Sequence, residues 1–93
     1  MRFVPDTIFN PSHKMEEAKI SLDKALSKFP DPETDSGDGK VAYHWSGAFT
    51  ASDGTVMRAS FWDWKQGLEA CSRVSIWVSN EKYLQEFKKF IEE

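Results

Sequence analysis

Cys71, His13, His44 and Asp63 are the side chains best suited to nucleophilic or acid–base chemistry, and no spacing in the sequence joins them. Cys71 opens an alternating apolar stretch with no histidine near it in sequence. That is the setting of an ordinary thiol, not of a thiolate held ready beside a base. His13 follows Asn10-Pro11-Ser12, a helix-start signal, and is expected in water. Asp63 is expected on the apolar side of a strand, near the sheet end, where its carboxylate still reaches solvent. Cys71 is the only cysteine, so a disulfide within the chain and a thiol-based metal site are both excluded. Gly37 and Gly39 lie in an acidic segment that would repel phosphate. An EF-hand loop counted from Asp31 needs glycine at position six and glutamate at twelve, but Ser36 and Ala42 stand there. The expectation is a protein with no catalytic residues, no metal and no cofactor.

Binding is the chemistry on which the sequence spends more. Trp62, Trp64 and Trp77 can stack on flat or apolar groups, and Arg58, Arg73 and His44 can add charge and hydrogen bonds. Tryptophan and arginine are enriched where binding energy concentrates. Whether these six residues meet depends on the strands that carry them.

Residues 41–64 read as a β-hairpin. Val41, Tyr43, Trp45, Gly47 and Phe49 alternate with Ala42, His44, Ser46, Ala48 and Thr50. A two-residue Asp53-Gly54 turn would put Arg58 and Ser60 on the apolar face. A three-residue loop, Ser52-Asp53-Gly54, with Gly54 in the left-handed region as a bulge, pairs Phe49 with Met57, Gly47 with Ala59 and Trp45 with Phe61. The second register segregates polar from apolar more cleanly and is the one expected, since a one-residue slip inverts every side chain. It sends His44, Ser46, Thr50, Arg58, Ser60, Trp62 and Trp64 to the other face.

Residues 71–79 read as a third strand. Val74, Ile76 and Val78 belong to the core side, with Arg73 and Trp77 on the opposite one. Before the hairpin, Met15, Ala18, Leu22, Ala25, Leu26 and Phe29 recur at helical spacing after the Asn10-Pro11 start, and Pro30 stops the helix. Ile20 falls off that stripe and is expected to be exposed or to touch the N-terminal arm. After the third strand, Ser79 or Asn80 caps a second helix through Tyr83, Leu84, Phe87, Phe90 and Ile91. Phe3, Val4, Ile8 and Phe9 make residues 1–10 an arm that docks by its apolar side chains, and Pro5 keeps it out of the middle of a sheet. Residues 30–40 form an acidic, solvated loop. Residues 65–70 make a short connection.

The expected fold is α+β, a single domain over residues 1–93: a three-stranded antiparallel meander in the order α-β-β-β-α, with two helices on one face. Its core would hold Tyr43, Trp45, Phe49, Phe61, Val74, Ile76, Val78, Leu22, Leu26, Phe29, Leu84, Phe87 and Phe90. The Trp62, Trp64 and Trp77 face is then either buried against a partner or covered in part by the N-terminal arm, and both remain open at this point.

The α-β-β-β-α order resembles the double-stranded-RNA-binding domain, whose helices also cover one sheet face. That family grips the backbone with lysines at the start of its last helix, where this chain has SNEKYLQ, with one lysine and one glutamate. The order is also similar to that of some small phage-encoded inhibitors of bacterial defence, without shared motif residues.

A formal charge of −3 and a pI of about 5.4 argue against general affinity for nucleic acid or anionic membranes. No apolar run at the start has the length of a signal peptide, and none approaches a membrane span. The functional expectation is a small non-catalytic protein-interaction module in the cytoplasm, a regulator or inhibitor, phage- or mobile-element-encoded as one origin. Its partner would be another protein or a second copy in a homodimer. Two alternatives use the same face: stacking of a flat small ligand, and stacking of single-stranded nucleic acid.

Overall fold

Alternation of bulky and small residues folds Val41–Thr50 and Val56–Trp64 into two long antiparallel strands, β3 and β4. The computed structural model describes residues 1–6, 13–29, 41–64 and 71–93, without the side chains of Val41, Ala42 and Trp64. The Asn10-Pro11 start, Ile8, Phe9, the acidic 30–40 loop and the 65–70 connection all lie outside the described residues.

The hairpin takes the expected register: Trp45 faces Phe61, Gly47 faces Ala59 and Phe49 faces Met57. Its loop is closed by Ala51 N–H donating to the Thr55 carbonyl at 2.8 Å, and Gly54 N–H returns to the Ala51 carbonyl at 3.0 Å. Gly54 has φ of 92°, the left-handed value that a residue without Cβ adopts freely.

The sheet is wider than a three-stranded meander. β5 (Arg73–Val78) pairs with β4. β1 (Arg2–Pro5) and β2 (Glu16–Lys19) add antiparallel strands at the two edges, giving the order β1-β3-β4-β5-β2. Among the described residues the element order is therefore β-β-α-β-β-β-α: the expected α+β class and α-β-β-β-α order stand within it, and the two strands that precede them make the three-stranded description too narrow. The described part of the N-terminal arm forms the edge strand β1, a place that Pro5 tolerates.

The predicted first helix divides in two. Residues 16–19 are β2, and only Leu22–Lys28 is helical, as α1, capped by Ser21, whose hydroxyl accepts from Lys24 N–H at 3.2 Å. Ile20 is buried, because a strand period sends it to the same side as Ala18. Leu26 is 39% exposed and belongs to the outer side of α1, not to the core.

A single turn of 3₁₀ helix over Glu81–Tyr83, capped by Asn80, leads into α2 (Leu84–Glu92). Tyr83, Leu84 and Phe90 are partly buried against the core, and Phe87 and Ile91 are fully inside it. Trp45, Phe49, Phe61, Phe87, Ile76, Ile91, Val74 and Val78 are fully buried.

Aromatic rings join these layers. Phe61 stacks on Trp45 with centroids 4.8 Å apart and meets Phe29 edge-on at 4.9 Å. Phe49 contacts Phe87 at 4.9 Å and Phe90 at 5.5 Å. Phe3 of β1 reaches Phe61 at 5.3 Å and Phe29 at 5.9 Å. The Trp45 indole donates to the Phe29 carbonyl at 2.7 Å, so the largest core side chain also satisfies a backbone acceptor at the end of α1. Lys28 Nζ donates to the Phe90 carbonyl at 2.6 Å, binding α1 to the last turn of α2. Burial and the neighbouring Lys24 lower its pKa below the ordinary lysine value.

Candidate functional site

Because strand side chains alternate, the register that buries Trp45, Phe49 and Phe61 sends every second residue of β3 and β4 to the face away from the aromatic core. On that face His44 lies opposite Trp62, Ser46 opposite Ser60 and Ala48 opposite Arg58. Across the β4–β5 pair, Ser60 faces Trp77 and Trp62 faces Ser75, so the two indoles are diagonal neighbours. β1 contributes Val4, opposite Ala48, and β2 contributes Glu17, opposite Ser75. Five of the six residues singled out from the sequence, His44, Arg58, Trp62, Arg73 and Trp77, therefore share one face. The Trp64 backbone ends β4 opposite Val41, and its side chain lies outside the described part.

The face is not the open aromatic platform that the sequence suggests. Trp62, Trp77 and His44 are half-buried, and Ser46, Ser60 and Ser75 are almost wholly buried. Among the described residues, the most exposed apolar side chains on it are Val56, at 65%, and Val4, at 41%. Phe3 does not lie across the indoles: it points to the other side, into the cluster of Phe29, Phe61 and Phe87. Of the described arm residues, Arg2, opposite Thr50, Val4 and Asp6 take this side of the sheet.

Asp6 grips Arg58 in a two-pronged pair, Nη1 to Oδ2 at 2.9 Å and Nη2 to Oδ1 at 2.8 Å. Both side chains are over 40% exposed, so the pair contributes at most about 1 kcal/mol, but it fixes the guanidinium over the end of β1. At the far edge Glu17 sits 3.2 Å from Lys14 and 3.9 Å from Arg73.

At the centre, His44 Nε2 lies 2.8 Å from Ser60 Oγ and 3.1 Å from Ser46 Oγ, and the two hydroxyls are 3.3 Å apart. A serine beside a histidine suggests a nucleophile and its base, so the protons need accounting. Ser60 Oγ lies 3.0 Å from the Trp45 carbonyl, which can only accept, so the hydroxyl proton of Ser60 goes there. Ser60 Oγ then accepts from His44, and Nε2 carries the ring proton. A general base needs the reverse polarity, with the serine proton aimed at an unprotonated nitrogen. Ser60 also has no exposed surface at all. The trio fixes the imidazole against the sheet, where it meets Trp62 edge-on with centroids 6.0 Å apart.

This hydroxyl network is the part of the site that the sequence reasoning missed. The signal was present: His44 and Ser46 are two apart on one strand face, and the expected register already put Ser60 opposite Ser46.

Asp63 departs from its expected solvent contact. It is fully buried, and its Oδ1 accepts from Tyr43 N–H at 2.8 Å, replacing a ladder bond where the β3–β4 register shifts between Val41 and His44. Cys71 is exposed, just before β5. Among the described residues no group of three or more His, Cys, Asp or Glu side chains is gathered as a metal site, and no helix is long and apolar enough to cross a membrane.

Comparison with protein-family models, curated proteins and solved structures found no significant match to this chain.

Proposed function

We propose that this chain is a non-catalytic protein-interaction module that binds through the sheet face carrying His44, Arg58, Trp62, Arg73 and Trp77, with a second copy as its simplest partner. The observation that carries the reading is the sharing of this face by the exposed valines, Val4 and Val56, with half-buried indoles and two exposed arginines. A water-facing apolar rim beside Trp and Arg suits a protein contact. The serine-held His44 gives the face a rigid centre, which lowers the ordering cost of association. A two-fold dimer needs only one such self-complementary patch.

Sedimentation velocity over a concentration series tests this. The wild type should associate reversibly. Val56→Glu, which places a charge at the most exposed apolar position, should shift it to monomer with its melting temperature nearly unchanged. A wild type that stays monomeric at every concentration, with Val56→Glu indistinguishable from it, would remove the homodimer reading.

A second reading, a flat-ring ligand, draws on the diagonal placement of Trp62 and Trp77 and the edge of His44 against Trp62. It predicts quenching of tryptophan fluorescence by the ligand, lost in Trp77→Ser.

A further inference from the structure

β2 stands at one edge of the sheet, and an edge strand offers unpaired backbone groups to any second strand. Glu16 faces Ile76 and Ala18 faces Val74, and Ile20 N–H continues the ladder to the Ser72 carbonyl at 2.9 Å. Since backbone groups alternate along a strand, the N–H groups of Glu17 and Lys19 point outward. Both end on carboxylates. Glu17 N–H donates to Oε1 of Glu16 at 3.0 Å, and Lys19 N–H donates to Oε2 of Glu92 at 2.9 Å. Glu92 comes from the last turn of α2, seventy-three residues away, so that bond follows from the packing of the helix beside β2. The Glu16 pKa is lowered chiefly by the Glu17 N–H, and also by Lys88 and Gln85 of α2.

The sequence of the strand gives the guarded edge a definite partner. A two-fold antiparallel pairing of two β2 strands centred on Ala18 sets Glu17 opposite Lys19 of the second copy, and Lys19 opposite its Glu17. Both are positions whose backbone groups point outward, so that register forms four backbone hydrogen bonds. The same register also brings two oppositely charged side-chain pairs together on one face. The four N–H groups it requires are the ones that Glu16 and Glu92 occupy in the two copies.

We infer that Glu16 and Glu92 are guards of the β2 edge, and that removing both carboxylates opens it to antiparallel β2-to-β2 pairing with a second copy of this chain. The guards act in the isolated chain by occupying the donors, and the pairing exchanges carboxylate acceptors for backbone ones.

The test is made in the Val56→Glu background, so that association through the sheet face is not counted. Adding Glu16→Ala and Glu92→Ala should produce a concentration-dependent dimer by sedimentation. Adding Lys19→Pro should abolish it, because proline removes an outward N–H and leaves the β2–β5 ladder bonds in place. Single Glu92→Ala gives a second measurement on a chain altered at one exposed position: amide exchange of Lys19 should speed by roughly tenfold or more in dilute solution, with Glu17 unaffected. A doubly substituted chain that stays folded and monomeric at high concentration would overturn the inference. So would a dimer that survives Lys19→Pro, or a Lys19 amide that exchanges at the wild-type rate in Glu92→Ala.

Discussion

The Tyr83 hydroxyl donates to Oδ2 of Asp53 at 2.6 Å, joining the approach to α2 to the tip of the β3–β4 hairpin across thirty residues of chain. Thr55 completes the knot. Its N–H donates to Asp53 Oδ1 at 2.9 Å, and its hydroxyl lies 3.2 Å from the Tyr83 oxygen. A parallel tie runs from Ser52 N–H to Glu86 Oε1 at 2.8 Å. The three-residue loop thus does more than reverse the chain: it presents Asp53 and the Ser52 amide to the start of the last helix.

That knot sets a pH dependence. The Tyr83 hydroxyl, and after it the Thr55 amide and hydroxyl, lower the Asp53 carboxyl from 3.8 to about 2. A carboxylate with a depressed folded pKa stabilises the fold fully above its unfolded value, and that stability is lost as pH falls through the folded one. Asp53→Asn should therefore melt below the wild type at neutral pH, and the two melting curves should converge as pH drops from about 4 to about 2. Tyr83→Phe should narrow the same gap. A difference that stays constant across the window would show that the carboxylate charge has no part in the tie.

Gly47 allows β1 to dock. A Cβ built there would collide with the Val4 carbonyl group and lie 2.8 Å from the Pro5 Cα, all backbone that cannot swing aside. Gly47→Ala should cost about 1–3 kcal/mol by overpacking and loosen β1, withdrawing Phe3 from its rings. Gly54→Ala should also destabilise, but through its positive φ alone, since nothing lies within 4 Å of a Cβ at that site. Urea unfolding combined with exchange of the Asp6 amide, which donates to the Ser46 carbonyl at 3.0 Å, separates the two. Only Gly47→Ala should speed that exchange, and equal protection in both variants would count against the steric account.

The hairpin was legible because two independent signals agreed on it: a period of two in its strands, and a loop whose Asp and Gly suit one turn geometry. Residues 15–29 misled for a physical reason. Glu16, Ala18 and Lys19 are helix formers, and Met15, Ala18, Leu22 and Ala25 fall on a helical stripe. Pairing with β5 overrides that propensity, a choice made by the tertiary structure. Ile20, the residue that did not fit the helix, was the clue: Ala18 and Ile20 are two apart and both buried, with Ser21 behind them as a helix cap. The candidate face was legible as a set of residues but not as a surface. Register predicts which side a tryptophan takes. It does not predict that His44, Ser46 and Ser60 bond to one another and that the indoles sit half-buried around the serines.

The proton on His44 decides what that trio can do, and it can be measured. The Trp45 carbonyl takes the Ser60 hydroxyl proton at 3.0 Å, so Ser60 Oγ is left as an acceptor for the ring nitrogen 2.8 Å away. The neutral imidazole should then be the Nε2–H tautomer, seen directly in long-range proton–nitrogen correlations of the ring. Ser60→Ala should remove the closer acceptor, leaving Ser46 Oγ at 3.1 Å, and destabilise the fold by about 1 kcal/mol, the ordinary cost of a lost hydrogen bond. Ser46→Ala should cost less, since Ser46 is the longer of the two contacts, at 3.1 Å. The opposite tautomer, with the proton on Nδ1 and a bare Nε2 facing Ser60, would turn the serine into the donor. That arrangement is the one a base–nucleophile pair requires. Finding it, together with labelling of Ser60 by a serine-directed phosphonate, would overturn the non-catalytic reading of this face. The Nε2–H tautomer with an unlabelled Ser60 is the outcome expected from the proton accounting.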